Sequence, residues 1–376
     1  MARTGPRRWW RRLAWLGLAA MVAYAGFTAY RVMTFYAFVK GGQLMSDGIF
    51  EYDAELGFAP HRGSHGTMML PLPPDVPVRY DDERLRIADQ PSPFDAVDAP
   101  TLLALGCSVT HGDACAVEDT FAFRAAAALG ARPLNAGFPA YGLAQMLVRA
   151  RDLIPRLRPT YVVVEYAPWL VTRATSELAP TFFGVRPQPY FVDGADGTVA
   201  LHPPVFAPAG FGLPVAQYRA TAVGVADFVS FAANVALPML LHDDADQLRF
   251  RLRQGLGQVR PPAADRVRIV EQVYKEISRL SAQAGSRMIV FVVGMPRDQP
   301  AEDELAPLRR LDGVVVVEVW RALLERLPDR EAGTFLRVYG HYRGDPPRLI
   351  DPHPNPLAHT IIAEEIVRAL RAPTVH

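Results

Sequence analysis

Residues 101–112 read TLLALGCSVTHG: a short apolar run, Thr101 to Leu105, followed at once by Gly106-Cys107-Ser108-Val109-Thr110-His111-Gly112. Five residues without a charge suit a strand buried on both faces. A serine at the carboxyl end of such a strand lies where open α/β sheets place their ligands. The flanking glycines let the chain turn tightly and bring its backbone close to a substrate. The main-chain N–H of such a serine can also face an oxyanion. Taken alone, the segment reads equally well as an ordinary Ser/Thr/Gly turn between strand and helix.

Outward from this stretch, strands and helices alternate. Phe121 to Leu129 predicts a helix, Pro133 to Ala136 a strand and Leu143 to Leu157 a helix. Tyr161 to Glu165 (YVVVE), Met288 to Val293 (MIVFVV) and Val314 to Val319 (VVVVEV) predict three further strands. This rhythm implies right-handed βαβ units and a three-layer α/β/α domain around a mainly parallel, flavodoxin-like sheet. The block from about 170 to 265 interrupts it. Its first half is Pro-rich, and Val215 to Leu241 is largely apolar with Arg219, Asp227 and Asn234 inside it. A second membrane span there would have to leave and re-enter a sheet domain. An amphipathic helical insertion is therefore expected, packed on the domain or lying against a bilayer.

At the other end of the chain, Asp351-Pro352-His353-Pro354-Asn355-Pro356 precedes an amphipathic helix carrying Leu357, Ile361, Ile362, Ile366 and Leu370. Asn355 is a good N-cap, and Pro356 suits the first helical position. His353 then sits on a stiff loop, as a general base must. Asp351 could fix its tautomer from the other side. The bland readings are a surface histidine and a turn-forming aspartate.

Together these blocks resemble the SGNH hydrolases, also called GDSL esterases. The family's Gly-Asp-Ser-x-Thr-x-Gly block matches Gly106 to Gly112 with Cys107 in place of Asp, and its last block matches Asp351 to Asn355 with Asp-x-His spacing. The resemblance spans about residues 101–370. It implies Ser108 as nucleophile, His353 as base and Asp351 as orienting acid. It further implies an oxyanion hole from the N–H groups of Ser108 and of Ala140, which stands where the family has glycine. Trp169 falls near the family's oxyanion asparagine; its indole N–H could replace the amide, or the ring could pack or stack on carbohydrate. His111 could line the substrate pocket or serve only at a helix end. Cys107 is a minor rival nucleophile, and Glu165 reads as a structural partner for a nearby donor. His341, Asp345, Asp351, His353 and His359 lack compact ligand spacing, so no metal is expected, and the chemistry requires no cofactor.

The chain has 376 residues, half of them hydrophobic, and a net charge of +1, which points to no nucleic-acid partner. Arg3, Arg7, Arg8, Arg11 and Arg12 precede Leu13 to Tyr30, which has no charged residue. Eighteen residues of helix reach about 27 Å, close to a bilayer's hydrocarbon thickness. Ala23-Tyr24-Ala25 would suit signal cleavage, but apolar character continues past it, which favours an uncleaved anchor. The expected organisation is a cytoplasmic basic tail at 1–12, a transmembrane helix at 13–30, a stalk and N-terminal extension at 31–100 with a linker at 91–100, and a hydrolase domain at 101–371. Cys107 and Cys115 could pair in an oxidising compartment. The expected activity is hydrolysis of an extracytoplasmic ester, an O-acetylated glycan or a lipid. Acyl transfer to a polysaccharide by the same residues, or a non-catalytic glycan-binding role on this fold, are the alternatives.

Overall fold

The computed structural model describes residues 6–90, 99–181, 184–194, 197–208 and 212–372. Arg3, the greater part of the predicted linker and the side chains of Arg7 and Arg8 lie outside what is described. Five strands form the central sheet: β1 (Thr101–Leu105), β2 (Arg132–Asn135), β3 (Tyr161–Tyr166), β4 (Arg287–Val292) and β5 (Val315–Val317). They lie in the order β5-β4-β3-β1-β2, and every neighbouring pair is parallel. Leu102 to Leu105, Val162 to Val164 and Ile289 to Val292 are wholly buried. Their uninterrupted apolar spelling follows from cover on both faces.

The helices that position the site are α1 (Pro6–Gly41), α2 (Phe121–Ala128), α3 (Leu143–Leu157), α4 (Arg266–Ala284) and α5 (Pro356–Arg371). α2 and α5 pack together on one face of the sheet, and α3 and α4 on the other. The order places β1 between β2 and β3, so successive crossovers leave it for opposite faces. A crevice opens there, above the carboxyl ends of β1 and β3.

The segment before β1 is part of the scaffold. Its strands form a small antiparallel sheet (Leu44–Met45, His65–Met69, Val76–Arg79) and a hairpin (Phe50–Asp53 with Gly57–Pro60). Arg86, fully buried, extends from it to donate to the carbonyls of His111, Gly112 and Cys115 at 2.6, 2.8 and 2.7 Å.

α1 departs from expectation: it does not give way to a stalk at Tyr30 but continues to Gly41. Residues 31–40 contain no glycine or proline to stop it, and Val32 and Val39 are buried against the interrupting block. That block folds as two hairpins (Leu178–Thr181 with Gly184–Pro187, and Tyr190–Asp193 with Val199–His202) and one long helix, Val225–Gly255. The long helix runs antiparallel along α1. Asp227 meets Tyr36 at 2.6 Å and Lys40 at 2.8 Å, while Asp244 meets Tyr24 at 2.9 Å and Arg31 at 2.8 Å. Among the described residues, these two helices are long and apolar enough to cross a membrane.

Candidate active site

The turn after β1 is fixed from beneath. Gly106 has no alternative: a Cβ there would stand 2.0 Å from Thr110 Oγ1 and 2.3 Å from Glu165 Oε2. Glu165, the fifth residue of β3, accepts from Cys107 N at 2.9 Å, Cys107 Sγ at 3.0 Å and Thr110 Oγ1 at 2.7 Å. Asn135, which ends β2, donates to Thr110 O at 2.9 Å and accepts from Gly137 N at 3.0 Å. Both sides of the turn are thereby tied to neighbouring strands. Ser108 is left at the crevice with its side chain pointing out of the scaffold.

The loop carrying His353 is held as firmly. Asn355 caps α5 by accepting from Ala358 N at 3.1 Å, and its amide donates to Val338 O at 2.8 Å. Asp351 ends a short strand (Arg348–Asp351) paired with His341–Arg343. His353 Nε2 stands 2.8 Å from Ser108 Oγ, and its Nδ1 stands 2.8 Å from Asp351 Oδ1. With Nδ1–H donated to the carboxylate, Nε2 is left to accept the serine proton. Residues separated by 245 positions thus form one hydrogen-bonded line.

Charge in this line is strongly coupled. Burial works to lower the His353 pKa, but the Asp351 hydrogen bond and the charges of Asp113 and Asp351 overcome it and raise it to about 9. Burial likewise pushes the Asp351 carboxyl up, yet the His353 hydrogen bond and charge leave it below the usual aspartate value.

Ala140 has φ 65°, the left-handed region that a glycine adopts freely. Neither its N–H nor that of Ser108 is given to another main-chain acceptor among the described residues, and both residues line the same cleft.

Trp169 and His111 differ in where their side chains are committed. Trp169 lies at the crevice, but its indole N–H is directed to Cys107 Sγ at 3.3 Å, so the ring is a wall and its donor is occupied. His111 is fully buried behind the turn, between Tyr80 OH at 2.8 Å and Asp113 Oδ1 at 2.6 Å, and cannot touch substrate. Cys107 is also fully buried. Burial first, then the Glu165 charge, pushes its thiol to about 12, which removes it as a rival nucleophile. Cys107 and Cys115 are both free thiols. His341 and His359 serve the scaffold: His341 Nε2 meets Pro354 O at 3.2 Å, and His359 Nδ1 accepts from Phe121 N at 3.1 Å.

Two cavities meet at Ser108 and His353. One, of about 190 Å³, is narrow and apolar, walled by Val109, Trp169, Met295, Leu323 and Phe335. The other is a cleft of about 710 Å³ bordered by Ala140, Arg173, Asp113 and side chains of α1 and the long helix. Sequence reading missed Asp113 and Arg173. Arg173 carries no motif, and Asp113 stands just beyond the last glycine of one.

No protein-family model matches the chain, and no curated protein matches it by sequence. Among solved structures it is similar to the crystal structure of TesA, with 12% identity, TM-score 0.33, and coverage of 72% of this chain and 98% of that one. It is also similar to a carbohydrate esterase family 2 enzyme with a carbohydrate-binding domain from Corynascus thermopiles (Myceliophthora fergusii), with 12% identity, TM-score 0.38 and coverage of 88% and 86%. A third is the salicylyl-acyltransferase SsfX3 from a tetracycline biosynthetic pathway, with 17% identity, TM-score 0.34 and coverage of 75% and 58%. At such values the chemistry has to be read from the geometry of Ser108, His353 and Asp351 themselves.

Proposed function

We propose that this protein is a serine-dependent acyl ester hydrolase of the SGNH type, anchored by α1 with its catalytic domain on the extracytoplasmic side. The observation that carries the reading is the 2.8 Å approach of His353 Nε2 to Ser108 Oγ, with Asp351 behind the imidazole. His353 takes the Ser108 proton as Oγ bonds to the ester carbonyl carbon. The N–H groups of Ser108 and Ala140 receive the oxyanion. The carbonyl re-forms, the C–O bond to the alcohol breaks, and His353 returns the proton to the departing alkoxide. Water, deprotonated by the same imidazole, then releases the carboxylate and restores Ser108.

The narrow apolar cavity suits the acyl group. The wide cleft suits the alcohol. Its size also supports a second reading, transfer of the acyl group to a hydroxyl acceptor seated where the alcohol had been.

A fluorophosphonate probe tests the proposal. The full chain in detergent is expected to form one covalent adduct, lost in Ser108→Ala and slowed in His353→Ala. A folded wild type that takes no label would remove the catalytic reading and leave a binding protein. Comparing acetate release with acetyl transfer to an added oligosaccharide separates hydrolysis from transfer.

A further inference from the structure

One wall of the wide cleft comes from outside the α/β domain. Arg31, Phe35 and Phe38 of α1 line it, together with Met239, Asp243 and Gln247 of the long helix. The uncharged run of α1 ends at Tyr30, and Phe38 lies eight residues further on, about 12 Å along the helix. The cleft therefore stands within about two helical turns of where α1 leaves the hydrocarbon.

The long helix is built inside out for a solvated element. Val229, Leu237, Leu241, Leu248 and Leu252 are all exposed, by 38% to 60%. Their spacing in threes and fours, or sums of these, puts them on one outward stripe about 35 Å long. Its acidic groups turn inward to partners: Asp227 to Lys40, Asp243 to Arg186 and Asp244 to Arg31. A helix facing water does the reverse. The helix descends along α1, because its early Asp227 meets Lys40 and its later Asp244 meets Tyr24. Arg249, Arg251 and Arg253 are exposed beside the lower part of the stripe. Asp113, fully buried at the edge of the cleft, has an Oδ2 that makes no hydrogen bond among the described residues.

We infer that the cleft is supplied from the lipid surface. Its alcohol is the hydroxyl-bearing head of an amphiphile that stays in the leaflet, and the leucine stripe of the long helix rests in that same leaflet. The inference builds on the Ser108 reading and adds the source and class of the substrate.

The test uses the full chain in nanodiscs of phosphatidylglycerol and phosphatidylcholine with two fluorogenic acetates built on the same 7-hydroxycoumarin fluorophore. They are 4-methylumbelliferyl acetate, which is water-soluble, and 4-heptadecylumbelliferyl acetate, which partitions into the bilayer. The tailed ester is expected to give at least tenfold higher kcat/KM. In the double variant Leu248→Asp, Leu252→Asp, that advantage should fall at least fivefold, with soluble acetate turnover within twofold of wild type. Soluble acetate hydrolysed as well as the tailed one overturns the inference and leaves the hydrolase standing. If neither ester is cleaved, the hydrolase reading fails instead. The lipid contact is then decided by a bimane attached at Leu252→Cys: quenching by doxyl-labelled lipid supports it, and no quenching overturns it.

Discussion

A single oxygen of Asp351 receives both donors of His353: Oδ1 lies 2.7 Å from the main-chain N and 2.8 Å from ring Nδ1. The Asp-x-His spacing makes this possible, because a two-residue step turns the backbone N–H and the ring toward the same carboxylate. One acceptor thus fixes both the loop and the tautomer. Asp351→Asn should leave the fold intact and lower kcat by about 10⁴, since an amide can favour the wrong tautomer. Steady-state kinetics together with an unchanged circular dichroism spectrum would check it.

The raised His353 pKa sets the pH dependence. As a base it must be neutral, so kcat/KM is expected to climb with pH and level off above about 9. Stability runs the other way. A histidine whose folded pKa exceeds its unfolded value of 6.5 contributes fully below 6.5 and loses that contribution as pH rises through about 9. A pH–rate profile with its midpoint near 6.5 or lower would show that Asp351 and Asp113 do not hold the imidazole charged.

At the acid end, His111 and His359 are buried neutral. Burial first, then the Arg86 charge, depresses His111 to about 4; burial first, then the His341 charge, depresses His359 to about 3. The unfolded chain takes up these protons earlier, so melting temperature should fall as pH drops from 6.5 toward 4. His111→Gln should flatten that slope in a thermal-shift series.

Trp169 supplies a sharp contrast between wall and oxyanion donor. Its N–H is already spent on Cys107, so Trp169→Phe should lower kcat by less than tenfold. Removing a true oxyanion donor costs about 10²–10³. A loss in the larger range, measured with a short-chain acetate, would restore the indole to the oxyanion hole.

Ala140 occupies the left-handed region at φ 65°, where a Cβ costs about 1–2 kcal/mol. Ala140→Gly relieves that strain but adds freedom to the unfolded chain worth about 0.4–1 kcal/mol. A net stabilisation of about 0.5–1 kcal/mol is expected, with catalysis retained because the donor is main chain. Urea denaturation would measure it.

Much of this was legible in order and spacing. The apolar runs that became β1, β3 and β4 could be read because strands covered on both faces must be spelled without charge. Asn355 and Pro356 announced the start of α5, because capping is local chemistry. Gly106 and Gly112 were visible as turn residues, although only the packing of Thr110 and Glu165 against Gly106 shows why a side chain there is intolerable. His111 misled because its neighbours along the chain belong to the site, while its side chain faces the opposite way, into Tyr80 and Asp113.

The sequence by itself determined the α/β rhythm and the apolar helix at the amino terminus, and it singled out Ser108, Asp351 and His353, which the fold brings within hydrogen-bonding reach. These depend on local periodicity, capping and short spacings, which a chain carries before it folds. Tertiary structure decided that α1 runs on to Gly41, that Trp169 spends its donor on a thiol, and that two distant helices wall the cleft over Ser108. Such outcomes depend on which surfaces meet across hundreds of residues, and no local pattern encodes that meeting.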